Sequence, residues 1–405
     1  MNAVDDQAGP FRGVRIVEAS SMIMGPGASV ILSDLGAEVI KIEPLNGGDK
    51  SRGLANSINS GDVPNALFEL NQHGKRSIGL DLATDAGHEL LLRLVSRADV
   101  FLTTYLPQAR EKLRLGVEEL RAANPQLIYV RGSGWGQKGP EAHRPAYDFL
   151  AVWARSGVAD RLTLPGGIPP IIPTGFFDFQ GASVLAGATG AALFSRERTG
   201  EPSEVDVSLM NVGMWSLSAD IAAAPWLPTE RPQRVAPDNP VVDCYRTSDD
   251  RWLFFALLEA DRYWPELVEL LDDPDLRYDP RFATAATRAE HADACVGRLE
   301  CIFASRTLED WRERLSTFAG PWAHGATPLE IHDDEQALVN GFLTPFTTQH
   351  GDEVQVVTYP AQFNGRPTRF RGFTPEFGQQ TEEILLELGL GWGDIVRLKD
   401  DGVVL

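Results

Sequence analysis

GVRIVEASSMIMGPGASVILSDLGAEVIKIEP, residues 13–44, is the stretch whose reading decides the fold. Val14 to Glu18 is a short β-like run, followed by the loop Ser20-Ser21-Met22-Ile23-Met24-Gly25. Pro26 suits the first turn of a helix, where its missing N–H would be unpaired in any case. That helix carries Val30, Ile31 and Leu35 and stops at Gly36, a C′ glycine. Ala37 to Ile42 is then a second strand.

Outward from this β-α-β unit the pattern repeats. Ser77 to Leu82 reads as a strand, and Thr84 or Asp85 can cap a helix through Val95. Val100 to Thr103 and Leu127 to Arg131 are further strands, with a helix over Val117 to Ala123 between them. Such alternation predicts an α/β fold: a mostly parallel, Rossmann-like sheet with helices on both faces. Right-handed crossovers then gather the loops after the strands at one edge, where ligands bind. Around residues 223–240 five prolines crowd into a linker. Beyond it, Val242 to Thr247 and Trp252 to Ala256 flank a hairpin turn at Ser248-Asp249-Asp250-Arg251. Helices are expected at about 261–271, 285–304 and 307–317, so 241–330 reads as a smaller inserted α+β domain. The tail, 334–405, has a strand at Glu353 to Thr358 and a helix from Thr381 to Leu388 ended by Gly389. It is expected to return to the large domain formed by residues 1–222.

Composition narrows the function classes. The chain has 405 residues, 43% hydrophobic and 23% charged, a soluble globular profile. A net charge of −20 argues against nucleic acid and anionic membrane as partners, since both need a basic face. No apolar run reaches the roughly 18 residues that span a bilayer. The N-terminal Met1 to Gln7 lacks the basic start and apolar stretch of a signal peptide, so a cytoplasmic location is expected. Cys244, Cys295 and Cys301 form no C-x-x-C pair, and the seven His follow no ligand spacing, so neither disulfides nor a metal are expected.

Gly25-Pro26-Gly27 imitates a dinucleotide loop, with Glu43 at a plausible ribose-binding distance. However, Val30 holds the place of the third glycine, and Pro26 removes a backbone donor. A different likeness is far more extensive. The opening stretch is followed in order by Gly47-Gly48-Asp49 with Ser51-Arg52, then Asn71 with Lys75-Arg76-Ser77, then Gly132-Ser133-Gly134-Trp135-Gly136-Gln137-Lys138-Gly139-Pro140. Arg198-Thr199-Gly200, Val205-Asp206-Val207-Ser208 and Gly378-Gln379-Gln380-Thr381-Glu382-Glu383-Ile384-Leu385 come later. In this series the chain resembles the family III CoA-transferases, the group of formyl-CoA transferase, carnitine CoA-transferase and α-methylacyl-CoA racemase. The likeness covers nearly the whole chain and is weakest across 245–330.

By pattern alone, Asp178 reads as an N-cap before a helix of small residues, Gly181 to Leu193. The resemblance of Pro173-Thr174-Gly175, Asp178, Gly181 and Ala186-Gly187 to the family's nucleophile segment implies a catalytic aspartate instead. An ionised, positioned and dry carboxylate is a competent nucleophile toward a thioester. The implied function is transfer of coenzyme A from an acyl-CoA to a free carboxylic acid through mixed anhydrides and an aspartyl-CoA thioester. Water must be kept out, by a lid or a partner subunit.

The resemblance also implies CoA-binding positions. Met22, Ile23 and Met24 lie in the loop expected to supply oxyanion donors. Lys75 and Lys112 are implied phosphate contacts, although each also reads as ordinary solvated charge. Tyr105, Leu106, Ala109 and Trp135 are implied walls, and equally plausible packing residues. Glu43 is a candidate for ribose or adenine, or simply closes a strand. Tyr147 and Trp153 are candidate pocket residues, and Met22, Met24, Trp135 and Trp153 together hint at an apolar acid. Racemases of the family carry a His-Asp pair where this chain has Tyr147-Asp148, and a phenol of pKa about 10 is a poor base at neutral pH. An α-methylacyl-CoA racemase-like isomerase and an inactive CoA-binding scaffold are the alternatives. Asp148 suits a cap for the segment after it. Relatives form interlocked homodimers, so a homodimer is expected.

Overall fold

The computed structural model describes residues 9–54, 65–226, 238–347, 351 and 353–405. Counting those residues, the chain divides into two compact units. One is drawn from Met1–Thr163, Gly167–Leu227 and Gln336–Leu405, the other from Leu164–Gly166 and Pro228–Glu335. The N-terminal run Met1 to Gln7 and most of the expected 223–240 linker lie outside the described residues.

The first unit is built on six strands: β1 (Arg15–Ala19), β2 (Glu38–Glu43), β3 (Arg76–Gly79), β4 (Val100–Thr103), β5 (Ile128–Ser133) and β6 (Glu204–Ser208). All pair in parallel, in the order 3-2-1-4-5-6. That is a doubly wound order, reversing direction of travel at the β1–β4 boundary. The helices between the strands are α1 (Met24–Asp34), α2 (Ala66–Gln72), α3 (Asp85–Val95), α4 (Pro107–Lys112), α5 (Val117–Ala123), α6 (Val158–Leu162) and α7 (Asp178–Thr199).

Period-two alternation sorts the strand residues onto two apolar faces. Ile16, Val39, Val100, Leu102, Ile128 and Val130 pack under α1 and α7. Val17, Ala19, Ile40, Ile42, Phe101 and Tyr129 pack under α3, α5 and the C-terminal helix Thr381–Glu387. The tail reaches β3 through Gly79 N, which donates to Thr381 Oγ1 at 3.0 Å, and Ser77 N, which donates to Gln380 Oε1 at 2.8 Å. Gly36 and Gly389 end their helices at φ +112° and +87°, as expected of C′ glycines.

Helices α2, α4 and α6 escaped the sequence reading, and two of the strands it missed are instructive. In β6 the charges of Glu204 and Asp206 break the apolar pattern, yet the strand adds to the sheet edge. Both carboxylates pair with Arg131 of β5, at 2.7 and 2.5 Å. The second is a strand at Leu343–Thr347, which pairs antiparallel with the expected one at Glu353–Val357.

In the second unit, β7 (Cys244–Arg246) and β8 (Trp252–Phe255) form the expected hairpin, turning at Asp250 with φ +61°; β9 (Trp322–His324) pairs antiparallel on β8. The helix expected over 285–304 is two, Ala285–Glu290 and Ala292–Phe303, because His291 leaves helical geometry at ψ 33°. Arg288 of the shorter helix is fully buried, its guanidinium 4.4 Å from the Trp264 ring centre.

Candidate functional site

The carboxyl ends of β1, β4 and β5 surround a cavity of about 320 Å³ in the first unit. Its wall includes Ser21, Met22, Ile23 and Met24 after β1, Thr104 to Pro107 after β4, and Gly132 to Gly134 at the end of β5. Open α/β sheets hold ligands at this position, outside the strand ends where the strand order reverses. Asp178, the first residue of α7, lines the same cavity.

Small residues bring the two helix starts together. A Cβ on Gly181 would stand 3.0 Å from Leu209 Cδ2 and 3.3 Å from Met24 Cγ, and one on Gly27 would stand 3.1 Å from Ala182 Cβ. Asp178 is 6% exposed, and among the described residues its carboxyl has no hydrogen-bond or ion-pair partner. Burial, and then the neighbouring Asp148 charge, push its pKa up to about 7. Asp148 itself fixes the approach to that carboxyl. Its Oδ1 accepts from Phe149 N at 2.7 Å, the local capping expected of it, and its Oδ2 accepts from Phe177 N at 3.0 Å.

Other expected positions divide into those at the cavity and those behind it. Tyr105, Leu106, Ala109 and Tyr147 line it with Met22, Ile23 and Met24. Trp153 does not: it is buried in the core, stacked on Phe177 with ring centres 6.4 Å apart. Trp135 stands one layer out, with the guanidinium of Arg144, a lining residue, 5.8 Å from its ring centre. Lys112 is exposed at the end of α4, off the cavity wall.

Glu43 and Lys75 face neither solvent nor cavity. Glu43 accepts from Arg52 at 2.7 and 2.6 Å and from Ser77 Oγ at 2.6 Å. The Lys75 ammonium is buried against Glu18 (2.8 Å) and donates to the Pro26 carbonyl (2.9 Å). They belong to a buried ionic network behind the β1 loop, in which Lys41 reaches Glu18 and Asp49, each at 2.7 Å. Burial pushes Glu18 up, but the attraction of Lys41 and Lys75 prevails and holds it down at about 2. Burial lowers Lys75 to about 8 despite Glu18, and burial of Lys41 is outweighed by Asp49 and Glu18, which raise it. In sequence these residues look like loop and strand-end charges; only the sheet order shows that they converge.

Lys50, Arg144 and Leu209 also line the cavity and were not singled out in the sequence. The glycines Gly132 and Gly134 carried a signal, since both fall in a motif read as part of the family series. Among the described residues no helix is long and apolar enough to cross a membrane.

A doubly wound sheet with a switch-point cavity, and an unpaired buried carboxyl at its helix-start wall, defines an α/β protein with a ligand site at the strand ends. Comparison with known proteins places it more narrowly: residues 11–381 match the model of CoA-transferase family III, and the chain belongs to that family. It is 30% identical to (R)-2-hydroxy-4-methylpentanoate CoA-transferase of Clostridioides difficile, over 97% of this chain and 99% of that protein. It is 28% identical to cinnamoyl-CoA:phenyllactate CoA-transferase of Clostridium sporogenes, over 98% of each. The crystal structure of a CaiB/BaiF family protein from Brucella suis superposes with a TM-score of 0.80 at 29% identity, covering 94% of this chain and 100% of that one.

Proposed function

We propose that this enzyme moves coenzyme A from an acyl-CoA to a free carboxylic acid with the Asp178 carboxylate as nucleophile. An Asp178 oxygen attacks the thioester carbonyl carbon, the C–S bond breaks, and CoA thiolate leaves a mixed anhydride. The thiolate then attacks the aspartyl carbonyl, the anhydride C–O bond breaks, and the first acid departs as a carboxylate. An incoming carboxylate attacks the resulting aspartyl-CoA thioester, expels the thiolate and forms a second anhydride. Return of the thiolate to the new acyl carbon releases the new acyl-CoA and restores Asp178. No proton is gained or lost over the cycle, so the chemistry needs position and dryness more than acid–base groups.

The observation that carries this reading is the buried, unpaired Asp178 carboxyl on the wall of the switch-point cavity. Hydrogen bonds would tame a nucleophilic oxygen, and bulk water would hydrolyse both intermediates. The cavity has room for a thioester end rather than a whole nucleotide. Met22, Ile23, Met24, Ala146 and Leu209 give it an apolar lining, which favours an acid with an apolar side chain. The names of the two curated relatives specify acids of that kind. Incubation with a panel of acyl-CoAs, digestion and mass spectrometry should find a CoA-mass adduct on the Asp178 peptide. An Asp178→Ala variant that transferred CoA at the wild-type rate would refute the nucleophile.

The same reading includes a homodimer. On α7 the inward positions Gly181, Ala182, Leu185, Ala186 and Thr189 are buried, yet the outward Phe179, Val184 and Phe194 are 38%, 46% and 67% exposed. Large apolar side chains on the outer side of a helix whose inner side is already buried call for a cover there. A second copy of the chain supplies one and helps to dry the Asp178 cavity.

A further inference from the structure

Directly behind the cavity wall stands Asp49, 1% exposed and absent from the lining. Its Oδ1 accepts from Met22 N and Ser21 Oγ, both at 3.2 Å, and from Ser51 N and Oγ at 2.8 and 2.6 Å. Its Oδ2 meets Lys41 Nζ at 2.7 Å and Gln72 Nε2 at 3.2 Å. A neutral amide could not serve this set, which asks for a carboxylate with both oxygens accepting. The backbone it holds is unusual. Met22 has φ +76°, a left-handed conformation that residues with a side chain seldom adopt and that clusters where geometry is functional. Beyond that turn, the amides of Ile23, Met24 and Gly25 donate to no protein acceptor among the described residues, and Ile23 and Met24 line the cavity with Asp178.

We infer that Asp49 is a positioning residue for CoA transfer: it pins the Ser21–Met22 turn in its left-handed form and so sets the Ile23 and Met24 amides as donors to the thioester oxygen. This rests on the transfer reading above. During attack that oxygen gains negative charge, and donors fixed in advance stabilise it without reorganising. Asp49 touches no reacting atom. It acts by drawing the Met22 N–H inward, which turns the next peptides outward. Lys41 keeps the carboxylate charged and itself stays buried, so the turn has a rigid backing.

Steady-state kinetics on Asp49→Asn and Met22→Gly, singly and combined, test the inference. In the native background Asp49→Asn should lower kcat roughly tenfold to a hundredfold, the scale of a misplaced donor, with KM for acyl-CoA changing no more than about threefold. Glycine adopts the left-handed turn without help, so in the Met22→Gly background Asp49→Asn should cost about threefold or less. An equal loss in both backgrounds would overturn the role, as would a folded Asp49→Asn enzyme with native kcat. If Asp49→Asn does not fold, Ser51→Ala replaces it. That variant removes one donor orienting the carboxylate and should lower kcat severalfold at unchanged KM, again less so beside Met22→Gly. Native kcat in Ser51→Ala would then overturn it. A wild-type enzyme that transfers no CoA, or transfers it without an Asp178 adduct, would instead sink the functional reading.

Discussion

Asp178 carries its consequences in its proton. In the proposed mechanism only the ionised form attacks, and burial holds its pKa at about 7, so kcat/KM for acyl-CoA should rise about tenfold per pH unit below that value and level off above it. A pH–rate profile flat from 5.5 to 8 would contradict this. Stability should move the other way. With its folded pKa above the unfolded value, the native state holds more protons between about pH 4 and 7, so stability falls across that window as pH rises. Asp178→Asn should remove that fall and stabilise the protein at pH 8 by on the order of 1–4 kcal/mol, measured by denaturant unfolding at pH 4.5 and pH 8. Lys41 is the opposite kind of residue. Replacing it by methionine leaves Glu18 and Asp49 each short of a buried cation, and unfolding should show a loss of about 3–5 kcal/mol. A loss below about 1 kcal/mol would mean that the network relaxes around the gap.

At the scale of elements, α1 and α7 matter most, because their close approach puts Met24 beside Asp178's first turn. The run Gly181-Ala182-Ser183-Val184-Leu185-Ala186-Gly187 keeps side chains small where the helices meet. Gly181→Val should cost about 1–3 kcal/mol by overpacking, since Leu209 and Met24 already stand within 3.3 Å of a Cβ there. It should also slow transfer, because the contact it forces apart lies one turn from Asp178. Thermal melts and kcat on the same preparation check both expectations. Gly187, with open space around its Cβ position, is the control: Gly187→Ala should be neutral or stabilising.

The whole molecule is expected to work as a pair. Light scattering behind size exclusion should give twice the chain mass at micromolar concentration. The double variant Val184→Glu/Phe194→Glu on the outer side of α7 should shift the peak to monomer. A wild-type monomer that still transfers CoA would show that one chain dries its own site. The sheet order also belongs to this scale, since adjacency of β1 and β4 is what opens the cavity between their loops.

How far the sequence carried depended on whether a signal was local. Strands β1 to β5, helices α1, α3 and α5 and the stops at Gly36 and Gly389 were legible, because alternation, caps and glycine conformations are written in neighbouring residues. The place of Asp178 at the cavity was suggested only by its motif, since a capping aspartate and a ligand-facing one look alike along the chain. Where a charge ends up is decided by packing. Glu43 and Lys75 follow or precede strands just as a ligand-binding residue would, yet the sheet turns them into a shared interior with Lys41, Asp49 and Glu18, where each charge is tolerable only beside the others. Trp153 likewise went to the core behind Phe177. The raised pKa of Asp178 is tertiary too, because it comes from exclusion of water and from Asp148, thirty residues away, folded against the same helix start. Sequence thus determined the central strands and their main helices, and which residue types could react. Folding alone decided which of those residues keep a free face, because burial and pairing are properties of neighbours that the chain order does not name.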